Sequence, residues 1–130
     1  MKAAANNVMV NSLCQVLSST TATAGTVIDL ANYTNVGKHA IKLSLSVTDC
    51  KLTTTTDQTI GVLWYESDSS AGTSPSALSG AAISSGTTKS TYAEANVLVS
   101  KRYIFAQATA AGTATAWGVV ANAFPLRRDF

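Results

Sequence analysis

The residues able to carry chemistry are few in this 130-residue chain. There is one histidine, His39, with two cysteines, Cys14 and Cys50, and two glutamates, Glu66 and Glu94. Nucleophilic catalysis needs a nucleophile, a base and an orienting acid. Serines are abundant, but no Gly-x-Ser-x-Gly elbow occurs among them. His39 opens an alternating segment, where an exposed or capping imidazole is the simpler reading. Zinc needs clustered ligands, and Cys14, His39 and Cys50 fit no ligand spacing. Calcium needs closely spaced oxygens. The densest acids, Asp49, Asp57, Glu66 and Asp68, are scattered over expected strand ends and loops, where turn capping accounts for them. A glycosidase needs two carboxylates facing each other across a cleft, and nothing in the sequence brings Glu66 to Glu94. No phosphate loop or dinucleotide fingerprint is present. The expectation is a protein that is not an enzyme, with no catalytic residues, no metal and no cofactor.

Composition narrows the partners. Charged residues make up 12% of the chain and hydrophobic ones 46%, which describes a folded domain rather than a disordered one. Ser, Thr, Ala and Gly take the place of the missing charge. A weakly charged surface is poorly protected against association. It fits a protein covered by copies of itself or by a partner, and equally a plain Ser/Thr-coated surface. The net charge is +2, and the cations Lys2, Lys38, Lys42, Lys51, Lys89, Lys101, Arg102, Arg127 and Arg128 are spread out. No strip of them could neutralise a run of phosphates, so no nucleic-acid partner is expected. No apolar run is long enough to span a bilayer, so no membrane partner is expected either. Asn6 and Asn7 interrupt any signal-like apolar run, so the chain is expected to be made in the cytoplasm and to start near Met1. In that reducing setting Cys14 and Cys50 are expected as two small buried side chains; a disulfide stays geometrically open but unrequired.

The elements that must position these residues are strands. Helical periodicity is absent, Thr and Val favour strand, and turn residues recur at short intervals. His39 to Cys50 alternates strictly: Ile41, Leu43, Leu45 and Val47 face inward, with Lys42, Ser44, Ser46 and Thr48 outward. Gln58 to Glu66 is apolar on both faces, with Ile60, Val62 and Trp64 on one and Leu63 and Tyr65 on the other. That pattern predicts a central strand, or one whose second face meets a neighbouring subunit. Ser67 to Ser79 reads as an exposed loop, followed by short strands at Ala81–Ser84 and Thr87–Ala93 punctuated by Gly80 and Gly86. Lys101 to Thr109 and Thr113 to Phe124 alternate on either side of Ala110-Ala111-Gly112, which predicts an antiparallel hairpin. Val8 to Leu17 and Val27 to Leu30 complete about seven or eight strands. Without crossover helices the sheets should be antiparallel. The predicted fold is therefore an all-β, antiparallel β-sandwich of jelly-roll or immunoglobulin-like kind. Trp64, Tyr65, Tyr103, Phe105 and Trp117 lie on these strands, as core packing first and as a carbohydrate-stacking face second.

Three parts result: an N-terminal arm over 1–7, the sandwich over 8–124 and a C-terminal tail over 125–130. The tail residues Pro125, Leu126, Arg127, Arg128, Asp129 and Phe130 carry two arginines and a terminal aromatic, types enriched at interfaces. They form the candidate interface. Unchanged oligomeric mass and partner binding in a chain ended at Phe124 would remove that role.

The succession of segments also resembles a family of small tailed-bacteriophage virion proteins. Asp29-Leu30 with Tyr33, Glu66-Ser67-Asp68 and Arg102-Tyr103-Ile104 carry the resemblance, which spans roughly residues 25 to 124. The loop DSSAGTSPSALSG is longer and richer in Ser and Gly than that pattern. The resemblance implies a β-sandwich acting as a capsid decoration (cement) protein on the virion surface. Its partners would be the major capsid protein and copies of itself as a homotrimer. A head–tail connector or tail structural protein, or a carbohydrate- or receptor-binding module displayed on the virion, remain the alternatives.

Overall fold

The computed structural model describes residues 9–17, 22–32, 39–51, 59–86, 90–111 and 116–125. Nine strands run through them: β1 (Val10–Leu17), β2 (Thr23–Ala24), β3 (Ile28–Asp29), β4 (His39–Lys51), β5 (Thr59–Ser67), β6 (Ser76–Gly86), β7 (Ser90–Val99), β8 (Tyr103–Ala111) and β9 (Ala116–Pro125). A single 3-10 turn, Leu30–Asn32, follows β3. No helix among the described residues is long and apolar enough to cross a membrane.

Alternation in the sequence becomes two facing sheets. Sheet A has the order β1-β9-β4-β7, and sheet B the order β2-β8-β5-β6 with β3 also on β8. Every pairing is antiparallel. The two short strands β2 and β3 lie along one side of β8 and act as one interrupted edge strand. Counting them once leaves eight strand positions in two four-stranded sheets, with the chain passing repeatedly from one sheet to the other. That is the order of a jelly roll, which settles the choice left open by the alternation alone.

This order overturns one expectation. β8 and β9 do not form a hairpin: β8 pairs with β5 in sheet B, and β9 pairs with β1 and β4 in sheet A. Sequential strands pair directly only at β5–β6 among the described residues. Two alternating runs bury their apolar sides equally well as a hairpin or as facing layers, and here they face each other.

Ile41, Leu43, Leu45 and Val47 of β4 are fully buried, as are Ile60, Val62 and Trp64 of β5. Ile104, Ala106 and Ala108 of β8 and Val119, Ala121 and Ala123 of β9 meet them. Each buried Leu, Ile or Val contributes about 1.5–3 kcal/mol relative to exposure. β5 is central, between β8 and β6, as its two apolar faces predict. Ser44 departs from its expected wet position and is buried, because β4 has a neighbour on each side.

The Ser-rich segment is shorter and better anchored than its composition suggests. β6 begins at Ser76 and runs through Gly80, so Gly80 lies within a strand rather than ending one. At a φ of +119° it occupies backbone space that other residues avoid, at an irregularity in the β5–β6 register. Its missing side chain also lets β6 lie against Ala95 and Val97 of β7. Before β6, Ser67 Oγ donates to the Thr73 carbonyl at 2.6 Å and accepts from Ser69 N at 3.1 Å. These bonds fold the loop back, and Gly72 lies against Phe105.

Candidate interaction surface

The two outer faces of the sandwich are finished differently. On sheet B, Tyr65 and Phe105 are directly paired positions and stack at 5.5 Å between centroids. Phe105 is only 4% exposed although it points away from the core. The 68–75 loop covers it from one side, with Val27 beside it.

Sheet A has no such cover in the described residues. Its register places Tyr92, Glu94, Asn96 and Leu98 of β7, Lys42 and Ser46 of β4, and Asn122 and Phe124 of β9 on the outer side. Cys14 of β1 lies opposite Val120 on the same side. The large hydrophobic residues exposed among the described ones are Met9, Tyr92 and Leu98, at 58%, 62% and 64%. Tyr92 and Leu98 lie on this face, and Met9 immediately precedes β1. The four strands make a face about 14 Å wide, and Tyr92 and Leu98 are about 20 Å apart along β7.

A fixed set of side chains crosses the middle of that face. Lys42 Nζ lies 3.2 Å from Glu94 Oε1, and 5.6 Å from the centroid of Phe124. Tyr92 OH donates to Glu94 Oε2. The Tyr92 hydrogen bond, followed by that from Lys42, holds the Glu94 carboxyl below its ordinary value of 4.5. Glu94 in turn raises the Tyr92 phenol above 10.0. Because Glu94 is depressed, its contribution is complete above the unfolded pKa and disappears as pH falls through the folded one. The network should therefore persist at pH 5 and be lost in acid. Tyr92→Phe is expected to move the Glu94 titration upward, towards 4.5, in a carboxyl-detected NMR titration. An unmoved midpoint would show that the phenol does not hold the carboxylate.

The three segments of the virion-protein resemblance meet at one end of the sandwich and are structural there. Arg102 donates to both oxygens of Asp29 at 2.9 Å and lies 5.2 Å from the Tyr103 ring centroid. Asp29 Oδ1 also accepts from Ala31 N, capping the 3-10 turn. Leu30 is fully buried, and its N–H donates to the Arg102 carbonyl. Glu66 Oε2 accepts from Ser100 N at 3.0 Å and closes the approach to β8. Asp68 is 3.9 Å from Lys101. Tyr33 lies outside the described residues.

Asp57 and the side chains of His39, Asp49 and Cys50 lie outside the described residues; the two glutamates are not brought together. Glu66 belongs to sheet B and Glu94 to sheet A, and each is engaged locally. His39 pairs through its backbone with Val99. Among the described residues no group of three or more His, Cys, Asp or Glu is placed to hold a metal ion. Cys14 is a free, exposed thiol, contrary to the buried side chain expected: it lies on the outer side of an edge strand. Trp64 is core, as expected. Of the candidate interface, Pro125 ends β9 opposite Ile41, while Leu126, Arg127, Arg128, Asp129 and Phe130 lie outside the described residues, as does the arm over 1–7.

β7 runs on to Val99, past the Ala93 end that its alanines suggest, and so adds the Tyr92–Leu98 border. The signal was present: Ala93, Ala95, Val97 and Val99 alternate with Tyr92, Glu94, Asn96 and Leu98.

No protein-family model matches the sequence, and no curated protein matches it. Among solved structures, the fold is similar to the PBSX exported protein XepA, with 14% identity and a TM-score of 0.60 over 98% of this chain and 40% of that one. It is also similar to a chain from the structure of infectious bursal disease virus, Gx strain, with 11% identity and a TM-score of 0.52 over 92% of this chain and 32% of that one. The chain thus spans less than half the length of each, and at these identities the likeness is one of fold.

Proposed function

We propose that this chain is a non-enzymatic structural protein of a virion, and more specifically a capsid decoration (cement) protein. It sits on the capsid surface as a homotrimer, spans contacts between major capsid subunits and stabilises the shell. It is made in the host cytoplasm. The observation that carries the reading is the asymmetry of the sandwich. On sheet B the protein's own loop lies over Phe105; among the described residues the outer face of sheet A has no such cover, carries one matched charge pair and is fringed by exposed Tyr92 and Leu98. Exposed Tyr92 and Leu98 on a face with one matched charge pair are the groups an association surface would use. The resemblance of its segments to virion proteins and the fold shared with a chain of a virus support the same reading.

Binding to the assembled shell and not to free capsid subunits would stabilise the shell by mass action. Many copies in one lattice would add their weak contacts multivalently. Mixed with expanded empty shells of the parent particle, the protein is expected to co-sediment with them and raise their melting temperature in calorimetry. Failure to bind the shell would end the cement reading. Labelling confined to one vertex would favour a connector or tail protein instead. Retention on a glycan array with no change in shell stability would favour the carbohydrate-binding alternative.

A further inference from the structure

The outer face of sheet A also indicates what covers it. From Met9 to Cys14, Lys42 to Ser46, Tyr92 to Leu98 and Gly118 to Phe124, its charged side chains are Lys42 and Glu94, and they are already paired at 3.2 Å. An anionic partner such as nucleic acid or a charged membrane finds no unmatched cation there. A partner that complements this surface must itself be close to neutral where it touches. A second copy meets that condition, since the same face presents one cation and one anion in balance.

The large hydrophobic residues exposed among the described ones lie towards both sides of the face, at the β7 edge and beside β1. Tyr92 and Leu98 mark the β7 border; Met9, beside β1, and Phe124, on adjacent β9, mark the other. Copies arranged around an axis along the strands, each turning this face inward, bring the β7 border of one against the β1–β9 border of the next. Such a contact is heterologous, and it closes into a ring when the rotation permits. Among the described residues, no part of the same copy covers Met9, Tyr92 or Leu98.

We propose that the outer face of sheet A is the interface between copies of this chain, with the Tyr92–Leu98 border of one copy seated against the Met9–Phe124 border of its neighbour. The proposal rests on the association reading above and names the occupant of the face.

The test is solution mass, measured by sedimentation velocity across a dilution series of the full chain and three single variants. Leu98→Asp and Met9→Asp each place an unmatched charge on one border, at positions exposed enough that the fold should survive. Thr109→Asp places the same charge on exposed sheet B surface as a control. The wild type is expected to sediment as a multiple of 13.4 kDa. Either border variant should weaken association by roughly tenfold or more, with circular dichroism unchanged. The control should behave as the wild type. A monomeric wild type would overturn the proposal, as would border variants that keep the wild-type mass or a control that loses it. Shell co-sedimentation run in parallel separates the two readings. A monomeric wild type that still decorates shells would remove this interface and leave the cement function standing. An oligomer broken at the borders that never binds shells would do the reverse.

Discussion

Gly25→Ala is expected to lower the stability of the folded chain by about 3 kcal/mol or more, a loss of roughly 10 °C in melting temperature for a domain of this size. A side-chain carbon at Gly25 would stand 2.3 Å from the Ser12 carbonyl oxygen and 2.7 Å from Ser12 Oγ. Ser12 has little room to retreat. It sits at a register shift of β1, 3% exposed, where the strand reaches out of sheet A. Its carbonyl accepts from Thr26 N at 2.6 Å, and its hydroxyl donates to the Thr26 carbonyl at 2.8 Å. The same hydroxyl accepts from Ala106 N of β8 at 3.0 Å, and Gly25 N donates to the Ala106 carbonyl at 2.7 Å. One serine thus joins β1 of sheet A to β8 and the β2–β3 edge of sheet B.

An added methyl group must either push β1 away, breaking buried hydrogen bonds, or displace the segment between β2 and β3. Ser12→Ala should cost about 2 kcal/mol, since it strands Ala106 N and the Thr26 carbonyl. It should not rescue Gly25→Ala, because the closest obstruction is the backbone oxygen. Urea unfolding of the two single variants and the double variant measures this. A Gly25→Ala protein as stable as wild type would mean that β1 and the β2–β3 segment are not held as described.

This junction bears on function through the sheet edges. Open edges invite strand addition from other chains. Here β1 is tied to the β2–β3 edge through Ser12, and at the other side β6 lies against β7 at Gly80. With both sides occupied at these points, a partner is directed to the faces. Of the two faces, sheet A is the one whose described residues include exposed Tyr92 and Leu98.

The sequence carried some of this and concealed the rest. Parity along β4 and β5 showed which side chains would be buried, because a strand with one face in the core permits no other order. It did not show which strands would be neighbours. The runs on either side of Gly112 looked like a hairpin because alternation records burial and is silent about the partner. Gly80 read as a break because a glycine at a positive φ inside a strand looks the same in sequence as one that ends it. The loop after Glu66 is exposed, as its serines indicate; what they do not reveal is that Ser67 and Ser69 use their hydroxyls to close the loop on itself. Ser12, a polar residue in an apolar strand, gave no sign of its role, which depends on residues 94 positions away. The candidate face was half legible. Lys42, Ser44 and Ser46 were read as its outer row, but the β7 border was hidden by alanines that serve as core residues in Ala93 and Ala95.

Trp64 at the centre of β5 supplies the second large effect, and the comparison of two substitutions there separates packing from polarity. The side chain is fully buried, and its Nε1–H finds no acceptor among the described residues. Trp64→Ala removes the largest fully buried side chain of the core and is expected to cost about 3–5 kcal/mol. Trp64→Phe keeps an aromatic ring while removing the indole nitrogen. The lost volume costs about 1–2 kcal/mol, but an unpaired buried donor costs about 1–3 kcal/mol to keep, so the two terms should nearly cancel. Urea unfolding should place Trp64→Phe within about 1 kcal/mol of wild type while Trp64→Ala falls far below it. A phenylalanine variant as unstable as the alanine one would mean that ring volume, not the orphan donor, governs the site. The position also explains how the faces can stay ordered. Trp64 pairs with Ala106 across β5 and β8, so the large ring fills space that its small cross-strand neighbour leaves open. Such a core fixes both sheets from inside, so the outer side chains of sheet A need contribute little to folding and are free to serve contact with other molecules.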